Sequence, residues 1–225
     1  SYLPAAPSAE QTQAGVFLVD QPQLSQSYVQ IGHIGGQRDA SDYAEMAVMN
    51  EVLNGFGGRL FNEVRSRQGL AYVVYAFWSA RYDYDGIFIG GGQTSSDTTV
   101  PFIESVKKEI ADIRQAPVSE EELSRAKDSV LNSFVFNFQN PEQTLSRLVR
   151  YEYYDYPEDF VFQFREDVAN TTAAAVQQAA QTHLKPEDLV ILVVGNVNEI
   201  QPPLSNLTPD QQVTQVDITI PAPDA

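Results

Sequence analysis

The order of periodic segments in this 225-residue sequence predicts an α+β fold, with a mostly antiparallel sheet and helices packed on one face. Three observations carry that expectation. Residues 27–34 alternate, with Val29, Ile31 and His33 on one side, and residues 73–79 are dense in β-branched and aromatic side chains before the chain turns and returns through Ile87-Phe-Ile-Gly90. From residue 97 onward apolar residues recur at helical spacing. Residues 189–194 are then apolar without alternation, as in a central strand covered on both faces or partly so.

Residues 1–14, rich in Pro, Ala, Ser and Gln, read as a linker or tail. Val16-Phe-Leu-Val-Asp20 is a short apolar strand that this reading pairs with 27–34, and Gly35-Gly36 closes the pair. Asp42 with Glu45 signals a helix start, Met46, Met49 and Leu53 form its core stripe, and Asn54-Gly55 stops it. A glycine-rich turn at 55–58 feeds a short amphipathic helix, Gly69 ends that helix, and the next strand opens near Tyr72. The strand turns through Asp83-Tyr-Asp-Gly86, and on the return Gly90, Gly91 and Gly92 let another backbone or a ligand come close.

Ile103, Val106, Ile110 and Ile113 mark the inner face of a helix that ends before Pro117. The next opens on a capping box, Ser119 with Glu122, and carries Leu123, Ala126, Val130, Leu131, Phe134 and Phe138 inward. Asn140-Pro141 starts a third, running through Leu145, Leu148 and Val149 to about Tyr154. A short helical piece follows Pro157, and Thr171 or Thr172 caps an alanine-rich helix ending near His183. Residues 15–200 thus form one domain, and 201–225 a proline-containing tail in which Val216, Ile218 and Ile220 alternate as an edge strand would.

Composition narrows the function. A formal net charge of −16 opposes binding of nucleic acid or anionic lipid, because Lys and Arg supply most affinity for phosphates. The charge reads first as a solubility device and second as attraction for basic peptides. No apolar run approaches the roughly 18 residues of a spanning helix, so a soluble chain with no membrane partner is expected. The absence of cysteine removes disulfides, thiolate zinc sites and cysteine nucleophiles. Low lysine and high glutamine content favour a periplasmic or cell-envelope location over a cytoplasmic one. The opening Ser1-Tyr-Leu-Pro-Ala-Ala-Pro reads as the interior of a longer protein.

The chain has only two histidines, His33 and His183, far apart and without a second ligand nearby, so no zinc site or other cofactor is expected in it. His33 reads as a hydrogen-bonded strand residue and His183 as a complement to a helix dipole. No Gly-x-Ser-x-Gly elbow occurs, and Gly90–Gly92 lacks the lysine and hydroxyl residue of a phosphate loop. Glu120, Glu121 and Glu122 read as surface residues favoured at a helix start.

Arg65 and Tyr72 remain. They lie seven residues apart across one glycine break, where a fixed guanidinium and a phenol could converge on one substrate group. Alternatively, Arg65 pairs with a surface carboxylate such as Glu63 and Tyr72 is an ordinary strand aromatic. Gly-Gly-Arg-Leu-Phe-Asn-Glu-Val-Arg65 followed by Gly-Leu-Ala-Tyr72 resembles the arginine/tyrosine segment in the second, metal-free half of the pitrilysin/insulinase zinc peptidases, the inverted-motif group that includes the mitochondrial processing peptidase. Pro117-Val-Ser-Glu-Glu-Glu-Leu-Ser-Arg-Ala-Lys127, Asn132-Ser-Phe-Val-Phe-Asn-Phe138 and Leu189-Val-Ile-Leu-Val-Val-Gly195 continue the likeness, which covers about residues 15–198.

The resemblance implies the same α+β half-domain, partnered by a zinc-bearing homologous domain or subunit, with peptide as substrate. It assigns Arg65 and Tyr72 to the reaction: the phenol donates to the scissile carbonyl oxygen as charge develops there, and the arginine fork holds a neighbouring backbone carbonyl. Phe56, Gly57 and Gly58 are candidates for a substrate-facing loop or a plain structural turn, and Arg67 is a weaker candidate. Zinc would then lie in the partner half and the isolated chain would be inactive. The other implied outcome is a non-catalytic structural or peptide-binding subunit, as in core subunits of respiratory complexes with this fold. Tyr151-Glu-Tyr-Tyr-Asp-Tyr-Pro157 departs from the family's usual small residue before the proline and reads as helix-end packing in preference to a peptide-contacting surface.

Overall fold

A computed structural model describes residues 13–208 and 212–219. Residues 1–12 of the expected tail, with Pro209, Ile220, Pro221 and Pro223, lie outside the described residues. Six strands, β1 (Gly15–Asp20), β2 (Gln26–Ile34), β3 (Val73–Ser79), β4 (Ile87–Ser95), β5 (Val190–Gly195) and β6 (Thr214–Gln215), form one sheet in the order β3-β4-β2-β5-β1-β6. The helices are α1 (Tyr43–Asn54), α2 (Thr99–Gln115), α3 (Glu120–Ser133), α4 (Pro141–Tyr153), α5 (Phe160–Asn170) and α6 (Ala173–His183). The predicted α+β class, with helices on one face of the sheet, is the observed one. No described helix is long and apolar enough to cross a membrane.

The period-2 rule fixes the faces. Val29 and Ile31 of β2 are buried, and the register carries the same face across Ala76, Trp78, Phe88, Ile191 and Val193. Onto it α1 lays Met46, Met49 and Leu53, and α2 lays Phe102, Ile103, Val106, Ile110 and Ile113, all buried. The opposite face presents Tyr28, Val73, Phe77 and Ile87, all exposed, beside half-buried Ile89 and Leu192.

One expected pairing is wrong. β1 does not pair with β2; β5 lies between them, parallel to β1 and antiparallel to β2. Sequential strands are neighbours only about two-thirds of the time. Here the Val190-Ile-Leu-Val-Val run is apolar on both faces, so it takes the sheet centre and separates the two strands that precede it. The sheet is therefore mixed at this end, because β6 also runs parallel to β1. β6 sits slightly before the expected tail strand, and Val216 donates its N–H to the Leu18 carbonyl at 2.8 Å.

The three glycines of β4 do admit close backbone. Gly91 has φ +145°, and a Cβ there would fall 2.0 Å from the Val29 carbonyl oxygen. The Ser119/Glu122 capping box forms, and Asn140 and Thr172 cap α4 and α6. The Asp42 cap does not: its carboxylate instead meets His183 Nε2 at 2.8 Å. α3 stops at Ser133, and Phe134–Phe138 continues as a tighter 3-10 turn that turns Phe138 partly outward. Of the apolar residues expected inward on α4, Leu145, Leu148 and Val149 are all exposed, Leu145 by 63 %. That helix packs chiefly on the Phe134–Phe138 turn and not on the sheet.

Candidate functional site

The Gly55–Tyr72 stretch begins where α1 ends. Gly57 has φ +75°, a conformation that non-glycine residues rarely adopt, and a Cβ on Gly58 would lie 2.7 Å from the Leu53 carbonyl oxygen. These two glycines are thereby committed to the turn itself. The adjacent Phe56 is 100 % exposed, so of the three loop candidates it alone offers a side chain to a ligand. Asn62 Nδ2 donates to the Gly57 carbonyl at 2.8 Å and holds the turn against the following helix.

Arg59 fastens the same turn to α3. Its guanidinium bonds both carboxylate oxygens of Glu122, at 2.7 and 3.1 Å, while Glu122 also accepts from the Ser119 N–H at 2.9 Å. The Arg59 hydrogen bond, with the Ser119 donors, holds the Glu122 carboxyl down at about 2 despite partial burial. The base of the site is thus a bidentate charge-assisted clamp, rigid by the planarity of both groups.

Phe61–Arg67 is not the ordinary amphipathic helix expected but a π-helix. Its wider turn closes with the Gln68 N–H donating to the Glu63 carbonyl at 3.0 Å, five residues back. Such turns are rare and are frequently found at functional sites. Gly69, at φ +66°, then reverses the chain as the sequence predicts, and Tyr72 donates its N–H to Gln93 of β4 at 3.1 Å.

Within this turn the polar groups sort into two sets. Glu63 is taken by Arg67 in an i,i+4 ion pair and by Gln68 Nε2 at 2.6 Å, and Gln68 reaches Ser105 at 3.0 Å. Arg67 is accordingly a structural partner, and the alternative pairing of Arg65 with Glu63 does not occur. The Arg65 guanidinium stands over the Phe61 ring, 5.1 Å from its centroid, and neither it nor the Tyr72 hydroxyl has a hydrogen-bond or ion-pair partner among the described residues. Tyr72 is 60 % exposed and Arg65 is exposed as well. Phe61, four residues before Arg65, is a support that the sequence reading overlooked, although the spacing shows it.

The histidines do not fit a metal. Lys185 donates its backbone N–H to His33 Nε2 at 3.1 Å, so Nε2 is the acceptor and Nδ1 carries the proton it shares with the Ile34 carbonyl at 2.7 Å. Burial further lowers the His33 pKa, and both ring nitrogens are occupied. His183, in the last turn of α6, pairs with Asp42. Among the described residues no three His, Cys, Asp or Glu side chains gather as metal ligands.

Comparison with known proteins places this geometry. A solved structure from Pseudomonas fluorescens, described as a peptidase M16 inactive domain, superposes with a TM-score of 0.79 at 25 % identity, covering 86 % of this chain and 46 % of that one. The fold therefore places the chain in the class of peptidase M16 inactive domains, and no cluster of metal-ligating side chains occurs among the described residues. The profile of the family described as "Peptidase M16 inactive domain" matches residues 2–130, and the chain belongs to that family.

Two curated relatives carry contrasting names. The uncharacterized zinc protease YmxG of Bacillus subtilis (strain 168) is 26 % identical over 131 residues, which are 58 % of this chain and 32 % of that protein. The non-peptidase homolog YmxG of Helicobacter pylori (strain ATCC 700392 / 26695) is 27 % identical over 157 residues, 69 % of this chain and 36 % of that protein. The chain thus spans about a third of the length of these relatives.

Proposed function

We propose that this chain is the non-zinc half, or partner subunit, of a zinc metalloendopeptidase, and that Arg65 and Tyr72 bind the peptide and stabilise its tetrahedral intermediate. One observation carries the reading: in a segment where Arg59, Arg67, Glu63 and Gln68 are all engaged, the Arg65 guanidinium and Tyr72 hydroxyl are left exposed and without a hydrogen-bond or ion-pair partner among the described residues, as is the smaller Ser66 hydroxyl. Donors held in place before the reaction act on a developing oxyanion without reorganisation. Arg65, braced on Phe61, holds a substrate backbone carbonyl through its fork, and the Tyr72 hydroxyl donates to the scissile carbonyl oxygen. The partner half would supply the zinc and its activated water. The exposed apolar residues on the helix-free sheet face, Tyr28, Val73, Phe77 and Ile87, support such a partner.

The test is steady-state cleavage of a peptide by the chain reconstituted with its zinc-bearing half. Tyr72→Phe is expected to lower kcat by about 10²-fold, the loss typical of one oxyanion donor, and Arg65→Ala to lower kcat/KM by a similar factor. Unchanged activity in both variants removes their role. A second reading, a non-catalytic structural or peptide-binding subunit, is favoured by the non-peptidase name of one relative. It requires that no His-x-x-Glu-His helix is encoded upstream of Ser1 or in an adjacent gene.

A further inference from the structure

At the other end of β3 from Tyr72, the hairpin turn at Tyr82, the loop carrying Arg38 and the helices α4 and α5 line a solvent-open cavity of about 760 Å³. Its volume falls in the range of small-molecule sites, roughly 300–1,000 Å³. Three arginines line it: Arg38, Arg147 and Arg150. Glu142 is the one carboxylate among the lining residues.

None of the three arginines forms an ion pair within 4.0 Å among the described residues. That is unexpected in a chain with 30 acidic and 14 basic residues, where carboxylates are in excess. The guanidiniums are held by rings and by backbone instead. Arg38 stands 4.8 Å from the Tyr82 centroid and 5.6 Å from that of Tyr43, and Arg150 stands 5.6 Å from Tyr82, so one ring steadies two cations. Arg147 lies over Phe138 and donates to the Asn137 carbonyl at 2.7 Å. Contact through the ring face leaves the in-plane N–H donors of Arg38 and Arg150 available to a ligand.

The tyrosine-rich stretch 151–156 builds the support. Tyr154 stacks on Tyr82 with 5.2 Å between centroids and an 8° interplanar angle, and the Tyr156 hydroxyl donates to the Tyr82 carbonyl at 3.0 Å. Tyr43, Tyr82 and Tyr151 line the cavity, and their hydroxyls have no hydrogen-bond partner among the described residues. Burial pushes the Tyr151 hydroxyl up to about 12, so it stays a neutral donor.

We propose that this cavity is a binding site for a small organic anion, a flat apolar group bearing carboxylate or phosphate, which the arginine forks clamp and the tyrosine rings stack against. The proposal is independent of any peptidase role. The test is isothermal titration calorimetry of the 225-residue chain at low ionic strength, with benzene-1,3,5-tricarboxylate and phenyl phosphate as probes and neutral benzamide as control.

At least one anion is expected to bind with Kd below about 1 mM and benzamide not to bind. The Arg150 side chain is exposed, and beyond its contact with the Tyr82 ring it has no hydrogen bond or ion pair among the described residues, so Arg150→Gln is expected to fold normally and to weaken the better probe by about tenfold. Arg38→Gln does the same, while Lys108→Gln, on the solvent side of α2, leaves Kd unchanged. Tighter tricarboxylate binding identifies the site as carboxylate-selective and tighter phenyl phosphate binding as phosphate-selective. Failure of both anions to bind at about 10 mM overturns the site, as does a Kd that neither arginine substitution alters.

Discussion

Glu122 serves two partners at once, the Arg59 fork and the Ser119 N–H, and the second bond closes the capping box at the start of α3. Its folded pKa of about 2 lies below the ordinary 4.5, so the unfolded chain binds the proton more tightly. Stability from this group is fully present above pH 4.5 and is lost as the pH falls toward 2. After screening at a partly exposed site, about 1–2 kcal/mol is expected. Urea midpoints of the parent and Glu122→Gln should therefore differ at pH 7, approach one another below pH 4.5 and converge only as the pH falls to about 2. A gap independent of pH would assign the effect to packing. The sequence shows Ser119 and Glu122 as a cap because they are three residues apart, but it gives no sign of Arg59, 63 residues away. Arg65 and Tyr72 could be singled out as candidates for the opposite reason, since the motif that carries them is one short stretch, residues 57–72. The Phe61 brace and the π turn escaped, the latter because helical periodicity does not distinguish a seven-residue π segment from an α turn.

Among the elements, α1 does more than bury its methionines. β3 is the sheet's outer strand, and Asn50 and Asn54 on α1 bond its free backbone edge. Asn50 donates to the Trp78 carbonyl at 2.9 Å and accepts its N–H at 2.8 Å, while Asn54 accepts the Ala76 N–H at 2.8 Å and donates to the Ala76 carbonyl. Each side-chain amide substitutes for one rung of a neighbouring strand. Asn54→Leu leaves the Ala76 N–H and carbonyl unpaired at the edge and is expected to cost about 1–3 kcal/mol in chemical denaturation. Amide exchange at Ala76 should accelerate with it. Met46, Met49 and Leu53 were readable as the core stripe, but Asn54 was read only as part of the helix stop and Asn50 was not singled out. Strand order was misread for a related reason. β1 and β2 are close in sequence, and only the long-range demand of β5 for two neighbours separates them.

At the scale of the molecule, the two faces of the sheet differ in kind. One is sealed by helices and the other presents Phe77, 42 % exposed, among aliphatic and aromatic neighbours. Phe77→Glu is expected to change the stability of this chain by no more than about 0.5 kcal/mol, as for a surface position, yet to weaken association with a zinc-bearing half. Sedimentation velocity of the mixture reads that loss, and equal association would exclude this face. The class of fold was legible from periodicity alone, and the family from motif order. The arginine-lined cavity was not, because Arg38, Tyr82 and Arg150 are far apart in the chain and meet only when α4 docks beside the hairpin.

The asparagine seal on β3 has a bearing on self-association. Fibrillar growth needs an open row of amide and carbonyl groups onto which a foreign chain can add. With the central positions of β3 occupied, that recruitment is confined to the far margin, where the terminal strand is two residues long. Detachment of α1 would therefore be the step that opens the β3 margin to a foreign chain.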